Sequence, residues 1–149
     1  MAGYYPPVGF HFKVEFTRLD GIELKSNDHQ FQSVSGLSVD LETEEIAEGG
    51  ENRFKHKIPV RTKYPNLVLK RGLLKDSGLI TWCKNALENY EIVPADLSVS
   101  LLDEKHEPLF SWNVVHAYPV KWNVSDLNAE ENKIVIESLE LTYNYFKIA

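Results

Sequence analysis

The sequence predicts a mainly β fold in which two antiparallel sheets form a β-barrel-like body with one flanking α-helix. Three observations carry this. Several short stretches alternate apolar and polar residues with a period of two, one stretch repeats its apolar residues at spacings of three and four, and glycine, proline and polar clusters separate them. With 149 residues, 43% of them apolar and 11% aromatic, the chain has material for one hydrophobic core, and we read residues 1–149 as a single domain.

The first strand is the clearest: Phe10, Phe12, Val14 and Phe16 alternate with His11, Lys13, Glu15 and Thr17. Asp20-Gly21 marks a turn, polar residues 25–30 read as loop, and a second pattern opens at Phe31. Leu37, Val39 and Leu41 then alternate with Ser38, Asp40 and Glu42. Beyond Gly49-Gly50, Phe54, His56, Ile58 and Val60 alternate with Arg53, Lys55, Lys57 and Pro59, so the two strands form an extended hairpin over about 42–63 with the glycines near its tip. Further strands are expected at 67–70, 97–102, 109–116 and 120–124, with 103–108 as a turn.

The helical stretch holds Leu79, Cys83, Ala86, Leu87 and Tyr90 on one side. Asp76 or Ser77 can cap its start by accepting hydrogen bonds from the free amides of the first turn, and Pro94 bars helix soon after its end. The helix is therefore placed at about 77–89.

The final stretch changes parity: Ile134 and Ile136 share one set of positions, Leu139, Leu141, Tyr143 and Tyr145 the other. A bulge or sharp twist near Ser138 reconciles them. From 133 to 146 a continuous strand extends roughly 45 Å, longer than a small sheet requires, so it bends between two sheets or pairs beyond its own subunit.

Composition removes several functional classes. A formal charge of −6 is wrong for a general nucleic-acid binder, which needs a basic excess to neutralise phosphates. One cysteine, Cys83, allows no intrachain disulfide and lies on the helix's apolar side, where it packs as a small hydrophobe. None of the five histidines has a second ligand at metal-site spacing, and neither a phosphate loop nor a nucleophile elbow occurs. Trp82, Trp112 and Trp122 read as core or subunit-contact residues rather than a stacking platform. No signal peptide or membrane-spanning stretch is visible, and no enzyme activity, cofactor or metal is expected.

Charge is segregated instead. Asp40, Glu42, Glu44, Glu45, Glu48 and Glu51 form a stretch without a base, and Arg53, Lys55, Lys57, Arg61, Lys63, Lys70 and Arg71 form one without an acid. Either the hairpin's arms exchange cross-strand ion pairs, or acidic and basic surfaces face opposite ways so that one copy's acidic end meets the next one's basic end and copies stack. The two arrangements are compatible.

Several segments are familiar in their order and spacing. Tyr5-Pro-Pro-Val-Gly-Phe10, Phe31-Gln-Ser-Val-Ser-Gly-Leu37, Glu48-Gly-Gly-Glu-Asn-Arg53 and Leu67-Val-Leu-Lys-Arg-Gly-Leu73 precede the helix with Trp82. Trp112, Trp122 and Asn128-Ala-Glu-Glu-Asn132 follow before the last strand. Together they resemble the tube subunits of contractile phage tails and related injection particles, most closely the inner tube proteins of the antifeeding prophage and the Photorhabdus virulence cassette.

The resemblance implies a tail-tube fold shared with the hemolysin-coregulated protein of type VI secretion, and homo-hexameric rings stacked into a hollow tube. It further implies a contracting sheath, baseplate and tube-cap proteins as partners, and protein cargo in the lumen. Such a protein is made in the bacterial cytoplasm and works in a released extracellular particle or a virion tail. The family's hairpin reaches an adjacent ring, which makes Glu45, Glu48, Gly49, Gly50, Glu51, Asn52, Arg53, Lys55 and Lys57 the candidate stacking residues. A phage tail tube, a tube-initiating or terminating paralogue and, from another class, a small-ligand-binding β-barrel are the alternatives.

Overall fold

A computed structural model describes residues 11–24, 31–47, 56–74, 77–130 and 133–149. In chain order the elements are β1 (His11–Arg18), β2 (Ser33–Ser35), β3 (Asp40–Ile46), β4 (His56–Lys63), β5 (Leu67–Gly72), α1 (Gly78–Asn89), β6 (Ala95–Leu102), β7 (Pro108–Val124), β8 (Ile136–Thr142) and β9 (Tyr145–Ile148). Two antiparallel sheets result. One has seven strands in the order β1-β6-β7-β8-β5-β2, with β9 also on β7; the other is the two-stranded ribbon β3-β4. Among the described residues β1 and β2 do not pair with each other, so the larger sheet folds over on itself without closing into a barrel.

The fold-over is made by β7. The sequence suggested two strands there, whereas the structure has one of 17 residues. Its first half pairs with β6 and β9, its second half with β8. The bend falls at His116, which has φ of 61° and whose N–H donates to Asp96 Oδ1 at 3.0 Å. Across the bend the C-terminal partner keeps step: Val115 faces Tyr145, Tyr118 faces Thr142, and Asn144 N–H donates to the Val115 carbonyl at 3.0 Å.

The expected bulge near Ser138 is not there. β8 pairs with β5 without a shift from Leu67↔Leu141 to Gly72↔Ile136. Parity is kept because the core-facing residue is Glu137, in line with buried Leu139 and Leu141, while Ile134 is 72% exposed. The interruption lies instead at Tyr143 and Asn144, between β8 and β9.

Between the two halves of the folded sheet lie Val14, Leu67, Leu69, Leu97, Val99, Val114, Leu139, Leu141 and Phe146. Helix α1 covers one side with Leu79, Trp82, Cys83 and Ala86. The Trp82 ring meets Phe16 edge-on at 5.7 Å, and its Nε1 donates to the Val93 carbonyl at 2.7 Å, so the indole is both packed and satisfied. Ser77 is the N-cap, its Oγ accepting from Leu79 N–H at 3.2 Å.

Candidate assembly surface

The other described residues leave the ribbon β3-β4 uncovered. Every residue of β4 is exposed, and in β3 only Glu42 is partly covered. Leu41, Ile46, Ile58 and Val60 stand in solvent, Leu41 at 59% and Val60 at 54% exposure. An isolated two-stranded ribbon is marginally stable in water, since it has no third strand or helix on which to bury a face. The exposed apolar side chains are the contact material of such a surface.

Pairing steps from Glu42↔Arg61 to Thr43↔Pro59, leaving Val60 as an extra residue on β4. Proline supplies no ladder N–H, so a bulge is where a strand accommodates it. The bulge also breaks the simple alternation of Ile58 and Val60 suggested by the sequence.

The segregated charges meet across this ribbon. Arg61 Nε donates to Glu42 Oε2 at 2.9 Å, Asp40 stands opposite Lys63, and Glu45 stands opposite Lys57. Glu42 and Arg61 form the expected cross-strand ion pair, while the other two pairs stand opposite each other in register. Each exposed pair contributes only about 0.2–1 kcal/mol, so the pairs set register more than they hold the ribbon together.

Of the predicted stacking residues, Glu45 and Lys57 are thus brought face to face. Glu48, Gly49, Gly50, Glu51, Asn52, Arg53 and Lys55 lie outside the described residues. Sequence reasoning did not single out Leu41, Ile46, Ile58 and Val60 as contact residues, because alternation says which side chains share a face and not whether anything covers it. It also missed the buried pair Arg71 and Glu137, since a charged residue in a strand normally marks the solvent side.

Groups suited to chemistry are sparse. Among the described residues no three His, Cys, Asp or Glu side chains gather closely enough to hold a metal ion. His11, partly buried, and His106, exposed, touch edge-on with ring centres 4.3 Å apart, with no third ligand among the described residues. Burial raises the Cys83 thiol pKa to about 12, an effect reinforced by Glu137 and opposed by Arg71, which makes it a poor nucleophile. No helix among the described residues is long and apolar enough to cross a membrane.

A folded-over antiparallel sheet with one flanking helix and an uncovered ribbon defines a β protein built for contact with other chains. Residues 8–147 match the model of the T4-like virus tail tube protein gp19 family, and the chain belongs to that family. It is a tube protein of the contractile injection system type. A chain in the cryo-EM structure of the anti-feeding prophage (AFP) baseplate is 32% identical, with 97% of this chain and 96% of that one covered and a TM-score of 0.87. A chain in the AFP tube-terminating cap is 26% identical, covering 100% and 94%, at a TM-score of 0.81. Hcp1 from Flavobacterium johnsoniae shares the fold, at 16% identity over 93% and 94% and a TM-score of 0.55. No curated protein matches the sequence.

Proposed function

We propose that this chain is a structural subunit of the inner tube of an extracellular contractile injection particle. Copies assemble into hexameric rings, the rings stack into a hollow tube, and a contracting sheath drives the tube through a target envelope with protein cargo in its lumen. Baseplate and cap proteins close its two ends. The subunit works mechanically, without catalysis or a cofactor. It is assembled in the bacterial cytoplasm and acts in a released particle.

The observation that carries this reading is the likeness to the AFP baseplate chain, which spans 97% of the sequence at 32% identity. The uncovered ribbon supports it, because apolar side chains on a lone hairpin need a second molecule to cover them. Glu45 and Lys57, with the charged and glycine positions between them, are the proposed contacts to the adjacent ring. Backbone pairing between copies then gives each subunit many bonds that must break together under load.

Negative-stain microscopy of the purified protein, alone and mixed with its sheath protein, tests the proposal. Rings and hollow tubes are the expected result; dispersed monomers at high concentration with no affinity for sheath or baseplate would refute it.

A specialised ring is the second reading. Identity to the baseplate chain, 32%, exceeds the 24% to a chain of the PVC sheath-tube complex. A ring that starts a tube without extending it distinguishes this case from the main tube subunit.

A further inference from the structure

Strands β3 and β4 pair with each other and, among the described residues, with no other strand, so the direction in which the ribbon leaves the body is decided at its two roots. A ribbon on loose roots swings freely, since no face of it is packed on the core. The roots here are not loose. On the incoming arm Gly36 takes φ of 97°, a conformation that favours glycine, and the space a Cβ would need there is filled by the Asn66 carbonyl of the outgoing arm. The two arms therefore touch backbone to backbone at the base of the ribbon.

Both arms are fastened to the body on one buried residue. Tyr64, directly after β4, packs against the core, and its ring meets those of Tyr143 at 5.9 Å and Phe146 at 5.1 Å, both edge-on. The Tyr143 hydroxyl lies 3.5 Å from the Gly36 carbonyl, which also accepts from Ser38 N–H at 2.9 Å. Tyr143 thus touches the incoming arm with its hydroxyl and the outgoing arm with its ring. Two residues beyond Tyr64, Asn66 Nδ2 donates to Glu140 Oε2 at 3.0 Å, a second tie to β8. Tyr143 itself stands at the interruption between β8 and β9, next to Asn144, whose N–H is bonded to β7, so the clasp is seated on the folded sheet.

We propose that Tyr64 and Tyr143 are positioning residues: they hold the ribbon in one direction in the free subunit, before any other molecule covers it. A surface already aimed loses less conformational freedom on contact, whereas a loosened one binds only in the fraction of time that it points correctly. The fixed direction is a property of the single chain, and its use in joining rings rests on the function proposed above.

Spin labels on Glu44→Cys in β3 and Glu88→Cys in α1, both at exposed positions, report the ribbon's direction through the distance between them, in subunits kept too dilute to assemble. A narrow distance distribution is expected with Tyr64 in place and in Tyr64→Phe, and a broad one in Tyr64→Ala. In sedimentation, Tyr64→Ala should need about a tenfold higher concentration to form tubes, while Tyr64→Phe, which keeps the ring contact, needs no more than wild type. Should Tyr64→Ala not fold, Asn66→Ala loosens the same root without emptying the core and is expected to broaden the distribution in the same way. A broad distribution in the wild-type chain, or a narrow one in every variant that folds, overturns the proposal. A loosened ribbon whose tubes form at the ordinary concentration overturns the positioning role. Failure of the wild-type protein to form tubes strikes instead at the proposed function, and the distances alone then decide whether the clasp exists.

Discussion

Arg71 and Glu137 stand directly opposite each other on β5 and β8, buried at 3% and 4% exposure, and form an ion pair inside the sheet. Arg71 Nη2 also donates to Ser77 Oγ at 2.6 Å, and its guanidinium lies over the Phe31 ring at 5.2 Å. Trp122 Nε1 approaches Glu137 Oε2 at 3.4 Å. The leucines 67, 69, 139 and 141 would tolerate a two-residue slip of β5 against β8, since apolar side chains would still meet. The charged pair does not, because a slip in either direction separates the two charges and sets each against an apolar residue.

Removing one partner is therefore worse than removing both. Glu137→Leu should lower stability by about 3–5 kcal/mol, and Arg71→Met with Glu137→Met should recover most of that loss. Urea unfolding midpoints with slopes compared decide it. A single-variant loss under about 1 kcal/mol would mean that water or another group already compensates the charge.

Gly78 opens α1 with its Cα against the Glu23 carbonyl; a Cβ built there would lie 2.3 Å from that oxygen. Helix propensity favours alanine over glycine by up to about 1 kcal/mol, but forcing backbone apart costs about 1–3 kcal/mol, so the clash wins. Gly78→Ala should destabilise the fold, measured by thermal unfolding. A rise in Tm would show that the loop at Glu23 yields freely.

On the ribbon, Leu41→Lys with Val60→Lys should leave subunit stability within about 0.5 kcal/mol, because both residues are exposed in the single chain. Assembly should nonetheless fail by microscopy. Reversing charge at Lys55 and Lys57 should shorten tubes while rings still form. Tubes of ordinary length would remove these lysines from the stacking contact.

Alkaline pH should weaken the fold through two groups. Burial raises Cys83 from 9.0 to about 12, and burial followed by the proximity of Tyr64 raises Tyr143 from 10.0 to about 12. Both ionise less readily folded than unfolded, so their contribution is full below pH 9 and fades between pH 9 and 12. Urea midpoints should fall across that window, less steeply in Cys83→Ala. A native thiol that reacts quickly with a small maleimide at pH 8 would contradict the buried setting.

Much of the fold class was legible because strand and helix leave different periods. Phe12, Val14 and Phe16 against Lys13, Glu15 and Thr17 give β1, and the spacing of Leu79, Cys83 and Ala86 gives the face of α1 that meets the core. The assembly surface was legible only in part. Its charges stood out, and Glu45 does face Lys57, but the exposure of Ile58 and Val60 was not legible, because an alternating pattern says which residues share a face, not whether anything covers it.

By itself the sequence determined the β-rich class, the place of the one described helix, the charge exchange between hairpin arms and the likeness to tail tubes, all properties of residue order along one chain. Tertiary structure alone decided that β7 runs unbroken through both halves of the sheet, that the last strand parts at Tyr143 and Asn144, and that Glu137 points inward. The reason is that burial depends on the strand alongside. Glu137 is core-facing because Arg71 stands opposite, and the ribbon is exposed because no described part of its own chain lies over it.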